Sequence, residues 1–160
     1  MRRITTLLLV ALCLTIFWGE IFPILTQLIQ GEQKTIGRPY YDFFLRAFGL
    51  PLLLMMGIGP LIAWRRASVR SLISTLRWPI AVAIIAGIAL VVAGAGSSYP
   101  GLIAYTFCAF VLTTIVVEVV RGTRATGSFT ELIGRNRRRY GGYVVHAAVV
   151  LLAIGIAGSS

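Results

Sequence analysis

Long apolar runs alternate with short polar connections along the whole chain. The first run extends from about Ile4 to Ile29 and is followed by the polar stretch Gln30–Arg38, where Pro39 favours an extended backbone just before it. A second run covers about Tyr40 to Trp64, and Pro60, which lacks a backbone donor, predicts a kink near its end beside Gly57 and Gly59. The third and fourth runs, about Trp78 to Gly96 and Gly101 to Val120, are separated only by the turn Ser97–Pro100. The fifth covers about Tyr140 to Gly158. A helix rises 1.5 Å per residue and needs about 20 apolar residues to cross the hydrocarbon of a bilayer. The pattern therefore predicts an all-α integral membrane protein of about five transmembrane helices, with spans near residues 4–29, 40–64, 78–96, 101–120 and 140–158.

Composition agrees with this reading: 58% of the 160 residues are hydrophobic, 12% are charged, and the mean hydropathy is +0.88. What remains between the spans cannot build a separate water-soluble domain, so residues 1–160 read as one transmembrane helical module. Arg2 and Arg3 precede the first run as in a signal peptide. That run is nevertheless too long for a signal core, and Glu20 and Pro23 stand where a small-residue cleavage site belongs, so it is read as a retained helix.

The net charge of +10 gains its meaning from where it lies. Arg2 and Arg3, the connection bearing Arg65, Arg66, Arg70 and Arg77, and the six arginines between Arg121 and Arg139 place twelve basic residues on one side of the predicted bilayer. Only Lys34 and Arg38 fall on the other side, and Arg46 lies inside the second span. Basic connections stay in the cytoplasm, which predicts a cytoplasmic N-terminus and an outside C-terminus. The excess is thus a topology signal rather than a nucleic-acid footprint. Membrane lipids are the expected partner of the Arg135–Arg139 run, through their anionic headgroups. In the second basic connection Val69, Leu72, Ile73 and Leu76 repeat at helical spacing, which predicts a short amphipathic helix on the membrane surface.

No P-loop, zinc-ligand pattern, GxSxG elbow or internal repeat is present, which excludes the common soluble enzyme classes. Cys13 and Cys108 stand far apart in apolar runs and read as small buried hydrophobes. An ionisable group in hydrocarbon costs about a few kcal/mol and is a functional candidate for that reason. Four such groups stand out: Glu20, Arg46, Glu118 and His146. Glu118 lies three residues before Arg121, the spacing of an interfacial ion pair. Glu20 and Arg46 fall on the same predicted side, as a pair or as a proton or substrate site. His146, the single histidine, lies about 9 Å beyond Tyr140 along its helix. Gly142 and Val150 sit one turn to either side, Ala147, Ala148 and Ala153 leave space for a close neighbour, and the glycine beneath the imidazole gives a flat group such as a porphyrin room to approach. Spacing alone leaves a hydrogen-bonded structural histidine and a ligand equally open, and it favours packing for the nearby Tyr143.

The stretch Tyr140–Ser160, YGGYVVHAAVVLLAIGIAGSS, with NRRR at Asn136–Arg139 before it, resembles a late transmembrane segment of CcmF-type cytochrome c haem lyases. Gly37–Tyr41, GRPYY, and Leu54–Arg66, LMMGIGPLIAWRR, resemble an earlier part of the same family in the same order and spacing. The resemblance covers nearly the whole chain and implies the C-terminal-side transmembrane portion of such a lyase in a bacterial cytoplasmic (inner) membrane. Members of that family receive haem from a chaperone and join its vinyl groups to the CxxCH thiols of apocytochrome c. The resemblance implies that His146 corresponds to one of two transmembrane histidines that ligate a haem b iron. The family's tryptophan-rich loop, its external haem-ligand histidines and its other transmembrane histidine have no counterpart here.

Bis-histidine haem needs two imidazoles and this chain holds one. The expectation is therefore a fragment, a split-gene part or a truncated reading frame, inactive alone, whose second axial ligand comes from the remaining lyase segments or subunits or was lost. Two other readings stand beside it. One is a transporter component using Glu20. The other is a structural membrane subunit without cofactor, packing through small residues such as Ala89 and Ala93 or Gly155 and Ser159.

Overall fold

The computed structural model describes residues 2–62, 69–94 and 99–159. Within them the backbone is helical almost throughout: α1 (Arg2–Gln30), α2 (Arg38–Phe44), a π turn at Leu45–Gly49, α3 (Leu50–Ile62), α4 (Val69–Val92), α5 (Tyr99–Thr126), α6 (Phe129–Arg135) and α7 (Arg137–Gly158). Five helical stretches are long and apolar enough to span a bilayer: Arg3–Gln30, Arg38–Gly59, Ile73–Val92, Tyr99–Thr126 and Arg137–Gly158. The expected multi-pass all-α architecture is therefore present. Trp64, Arg65, Arg66, Gly96 and the Ser97–Ser98 part of the expected turn lie outside the described residues.

Two expectations need correction. The amphipathic stretch is not a separate surface helix, because Ile73 and Leu76 belong to α4, which runs on without a break into the third span. Apolar residues at helical spacing fit the first turns of a spanning helix as well as a helix lying in the interface. The arginine-rich linker after Val120 is itself helical. α5 continues to Thr126, ends where Gly127 turns into the left-handed region at φ +81° with its N–H on the Thr123 carbonyl, and gives way to α6 and then α7. The second span also holds an irregularity that its apolar pattern does not reveal, the π turn, while α3 runs through Pro60 to Ile62. Pro51 follows that turn; it has no N–H, and its ring conflicts with the carbonyl four residues back, so a widened turn ahead of it relieves the conflict.

The chain divides into two units, Met1–Leu52 and Leu53–Ser160. In the first, α1 packs against α2 and the π turn. The Tyr40 hydroxyl donates to the Thr15 carbonyl at 3.2 Å, and the Lys34 N–H returns to the Thr26 hydroxyl at 3.1 Å. Most of α1 faces outward, Cys13 included, so that thiol is exposed and not buried as expected. Within this unit α1 has neighbours along one flank, which leaves its other positions uncovered there.

In the second unit α5 is central, with α4 and α7 against it, and α3 adds Leu53 and its neighbours to a core around Cys108, Phe110, Val111 and Val150. Large apolar side chains such as Ile84, Ile85, Val144 and Leu151 point outward, while Thr75, Thr114 and Glu118 are buried. Outward apolar and inward polar positions suit hydrocarbon as the solvent. The α5 threonines Thr106, Thr113, Thr114, Thr123 and Thr126 each donate to a carbonyl four residues earlier, within 3.0 Å, so none presents a bare hydroxyl.

Gly57 lets α3 approach α5 closely. A Cβ there would stand 2.5 Å from a ring carbon of the buried Phe110. Gly57→Ala is therefore expected to destabilise the second unit by about 1–3 kcal/mol through overpacking, read as a lowered thermal midpoint in detergent. Gly59→Ala, where a Cβ meets open space, is expected to leave that midpoint unchanged.

Candidate functional site

α7 is set in place from its first turn. Arg139 turns inward, and its Nη2 meets Glu118 Oε2 of α5 at 2.5 Å, with the Glu118 side chain only 7% exposed. The Nε of the same guanidinium donates to the Tyr143 hydroxyl at 2.8 Å, one turn along α7, and the charge lies 5.6 Å from that ring. Tyr140 stands edge-on to Tyr143 with ring centroids 5.5 Å apart and closes with Leu132 into a second small core at the α5–α6–α7 corner. Further along the seam the Cys108 thiol faces the Val150 carbonyl at 3.9 Å, and the Tyr105 hydroxyl donates to the Ile154 carbonyl at 3.4 Å. These pairings run antiparallel and place His146 between the ion pair and the thiol, at the level of Leu112.

At about 100° per residue, His146 lies about 40° around α7 from Val150. Val150 is fully buried, so His146 occupies the edge of the packed face and is half-buried. Its Nδ1 is 2.8 Å from the Gly142 carbonyl oxygen. A carbonyl can only accept, so Nδ1 carries the proton and the lone pair of the neutral ring stands on Nε2. Nε2 has no hydrogen-bond partner among the described residues. A metal-ligating histidine commonly shows this arrangement, one ring nitrogen orienting the imidazole through a carbonyl and the other kept free for the metal. Gly142 adds space, because nothing lies within 4 Å of where its Cβ would be. These residues fit one axial position of a haem. No cluster of three or more His, Cys, Asp or Glu that could hold a metal ion occurs among the described residues.

The other ionisable candidates sort differently from expectation. Glu118 pairs with Arg139, not with Arg121; Arg121 instead donates to the Thr75 hydroxyl of α4. Arg121 stands three positions after Glu118, but Glu118 faces α7 while Arg121 faces α4, so the partner comes from 21 residues away. Glu20 and Arg46 do not pair either. Arg46 reaches back to Asp42 at 4.0 Å, and Glu20 lies on an exposed face of α1. Tyr143 is buried against Tyr140 and Arg139, in the packing role that spacing favoured. Arg139 went unrecognised as a site-building residue because it stood among other arginines of a basic connection, and no local spacing marks the one that turns inward.

Removing Arg139 strands a buried carboxylate. Arg139→Ala is expected to destabilise the fold by about 3–5 kcal/mol, whereas the double variant Glu118→Gln/Arg139→Gln, which keeps neutral hydrogen-bonding groups at both ends, is expected to lose far less. Thermal unfolding in detergent of the two variants beside the unaltered chain checks this.

No protein-family model and no solved structure matches the chain. It is similar to the cytochrome c-type biogenesis protein CcmF of Pseudomonas fluorescens, with 27% identity over 159 residues that make up 96% of this chain and 23% of that protein. CcmF of Haemophilus influenzae is 25% identical over 160 residues, 94% of this chain and 24% of its own length. The biogenesis protein CycK of Rhizobium meliloti is 24% identical over 159 residues, 96% and 23% of the two chains. The chain thus spans about a quarter of the length of the curated relatives it matches. Over nearly all of its own length, it resembles a portion of the CcmF-type cytochrome c biogenesis proteins.

Proposed function

We propose that this multi-pass chain works in cytochrome c maturation, as a transmembrane module of a CcmF-like haem lyase that contributes His146 as one axial ligand of a b-type haem. The observation that carries this reading is the imidazole itself: Nδ1 is held by the Gly142 carbonyl at 2.8 Å and Nε2 has no hydrogen-bond partner among the described residues, at the edge of the α5–α7 seam. The similarity to CcmF and CycK proteins over nearly the whole chain supports the same reading. The second axial imidazole would come from the remaining lyase segments or subunits, since this chain has no other histidine.

Bound haem would supply one-electron redox chemistry, tuned by its axial ligands and the polarity of its pocket. This chain's own part is positional. Arg139 and Glu118 fix the start of α7, the Gly142 carbonyl aims the His146 ring, and Gly142 leaves space beside it for a flat macrocycle. The setting proposed is a bacterial cytoplasmic membrane, with the arginine-rich connections on the cytoplasmic side. Haem delivered by a chaperone, and apocytochrome c outside, are the substrates of the assembled lyase. Among the described residues Glu20 is exposed and unpaired, and no feature around it favours a transport role.

The test is an oxidised and dithionite-reduced absorption spectrum of the detergent-purified chain, co-expressed with the remaining lyase segments. Wild type is expected to show a b-type haem spectrum that His146→Ala loses, with cytochrome c yield falling alongside. A His146→Ala assembly with unchanged haem content and cytochrome c yield would overturn the assignment.

A further inference from the structure

The N-terminal part of α4 and the C-terminal part of α5 run antiparallel and leave an open groove of about 460 Å³ between them. Its lining carries Arg77, Arg121 and Arg124, and among the described residues no carboxylate lines it. Glu118, the acid nearest in sequence, faces α7 and is occupied by Arg139. The walls are mainly apolar, built from Val82, Val116, Val117 and Val120, with the hydroxyls of Thr75 and Thr113 beside them. All of these residues lie within the spanning segments Ile73–Val92 and Tyr99–Thr126, with the arginines close to the segment ends.

Two of the three cations are already held in place. Arg121 donates to the Thr75 hydroxyl and uses one of its five N–H groups there, which leaves the others for an incoming acceptor. Arg77 lies 5.7 Å from the ring centroid of Trp78, a residue type that prefers the headgroup level of a bilayer. Three clustered positive charges above an apolar cleft match an amphiphile with an anionic head and a hydrocarbon tail. Guanidinium groups bind phosphate with paired, charge-assisted hydrogen bonds. A zwitterionic lipid would bring its own ammonium against the arginines, and a water-soluble phosphate would leave the valine walls unmatched.

We propose that this groove is a binding site for an anionic phospholipid, with the headgroup phosphate held by Arg77, Arg121 and Arg124 and an acyl chain lying along Val82, Val116, Val117 and Val120. The site is distinct from the His146 face of α7 and does not depend on it. It also differs from the Arg135–Arg139 run, the lipid contact expected from sequence, because Arg139 of that run turns into the protein.

The test is native mass spectrometry of the detergent-purified chain titrated with dioleoylphosphatidylglycerol, dioleoylphosphatidylcholine and glycerol 3-phosphate. The unaltered chain is expected to retain phosphatidylglycerol in preference to the other two. A basic residue near an anionic headgroup contributes enough that affinity is expected to fall about fivefold for each arginine removed, so Arg77→Gln/Arg124→Gln should weaken retention about 25-fold by the same estimate. Arg137→Gln/Arg138→Gln removes equal charge from exposed positions at the start of α7 and should leave retention unchanged. Val120→Trp keeps every arginine and fills the cleft at a partly exposed position, so it should also lower retention. Unchanged retention in either groove variant, equal loss in the α7 control, or glycerol 3-phosphate bound as tightly as the lipid would overturn the site.

Discussion

The ion pair between Glu118 and Arg139 is the constraint on which the second unit depends. Two opposite charges in a low-dielectric setting attract strongly, but each has given up its water, so the pair holds only with close geometry and further hydrogen bonds. Arg139 meets both requirements by bonding Glu118 on α5 and Tyr143 on its own helix. With the first turn of α7 fixed in this way, the rotation of the whole helix follows. Val150 is turned inward, Val144, Val145 and Leu151 outward, and His146 falls on the boundary between them.

That boundary position matters chemically. The anchor of the ring is the Gly142 carbonyl of its own helix, and the half-buried position leaves the second nitrogen without a partner among the described residues. At the edge, one nitrogen is anchored to the backbone and the other is available, which is the condition for an axial ligand. The groove between α4 and α5 follows the same logic at another place, since Arg121 is anchored to Thr75 and keeps most of its donors for an incoming group.

Much of this architecture was legible in the chain because hydropathy carries the dominant free energy in a bilayer. All five spans appeared where apolar runs predicted them, and their ends differed mainly where a helix continued into polar residues, as α5 does through Arg121 and Arg124 to Thr126. The π turn ahead of Pro51 was not legible, because two prolines in one apolar run do not say how the backbone accommodates each. The site was legible in part. His146 stood out through its type and its flanking glycine, whereas the pairing of Glu118 with Arg139 was not readable, because contacts between helices depend on rotation about each axis. Local spacing pointed to Arg121, and the fold chose a cation from the next spanning segment.

The threonines of α5 bear on how such a protein enters its membrane. Each of the five already bonds a carbonyl of its own helix, so none requires a neighbouring segment before it can leave water. Glu118 is different: its countercharge is synthesised 21 residues later, on a helix that has yet to form when α5 leaves the ribosome. During that interval the lipid–water boundary suits the carboxylate best, because water there supplies the hydrogen bonds that Arg139 later makes. Seating α5 at its final depth and docking α7 are thus one coupled step in biogenesis.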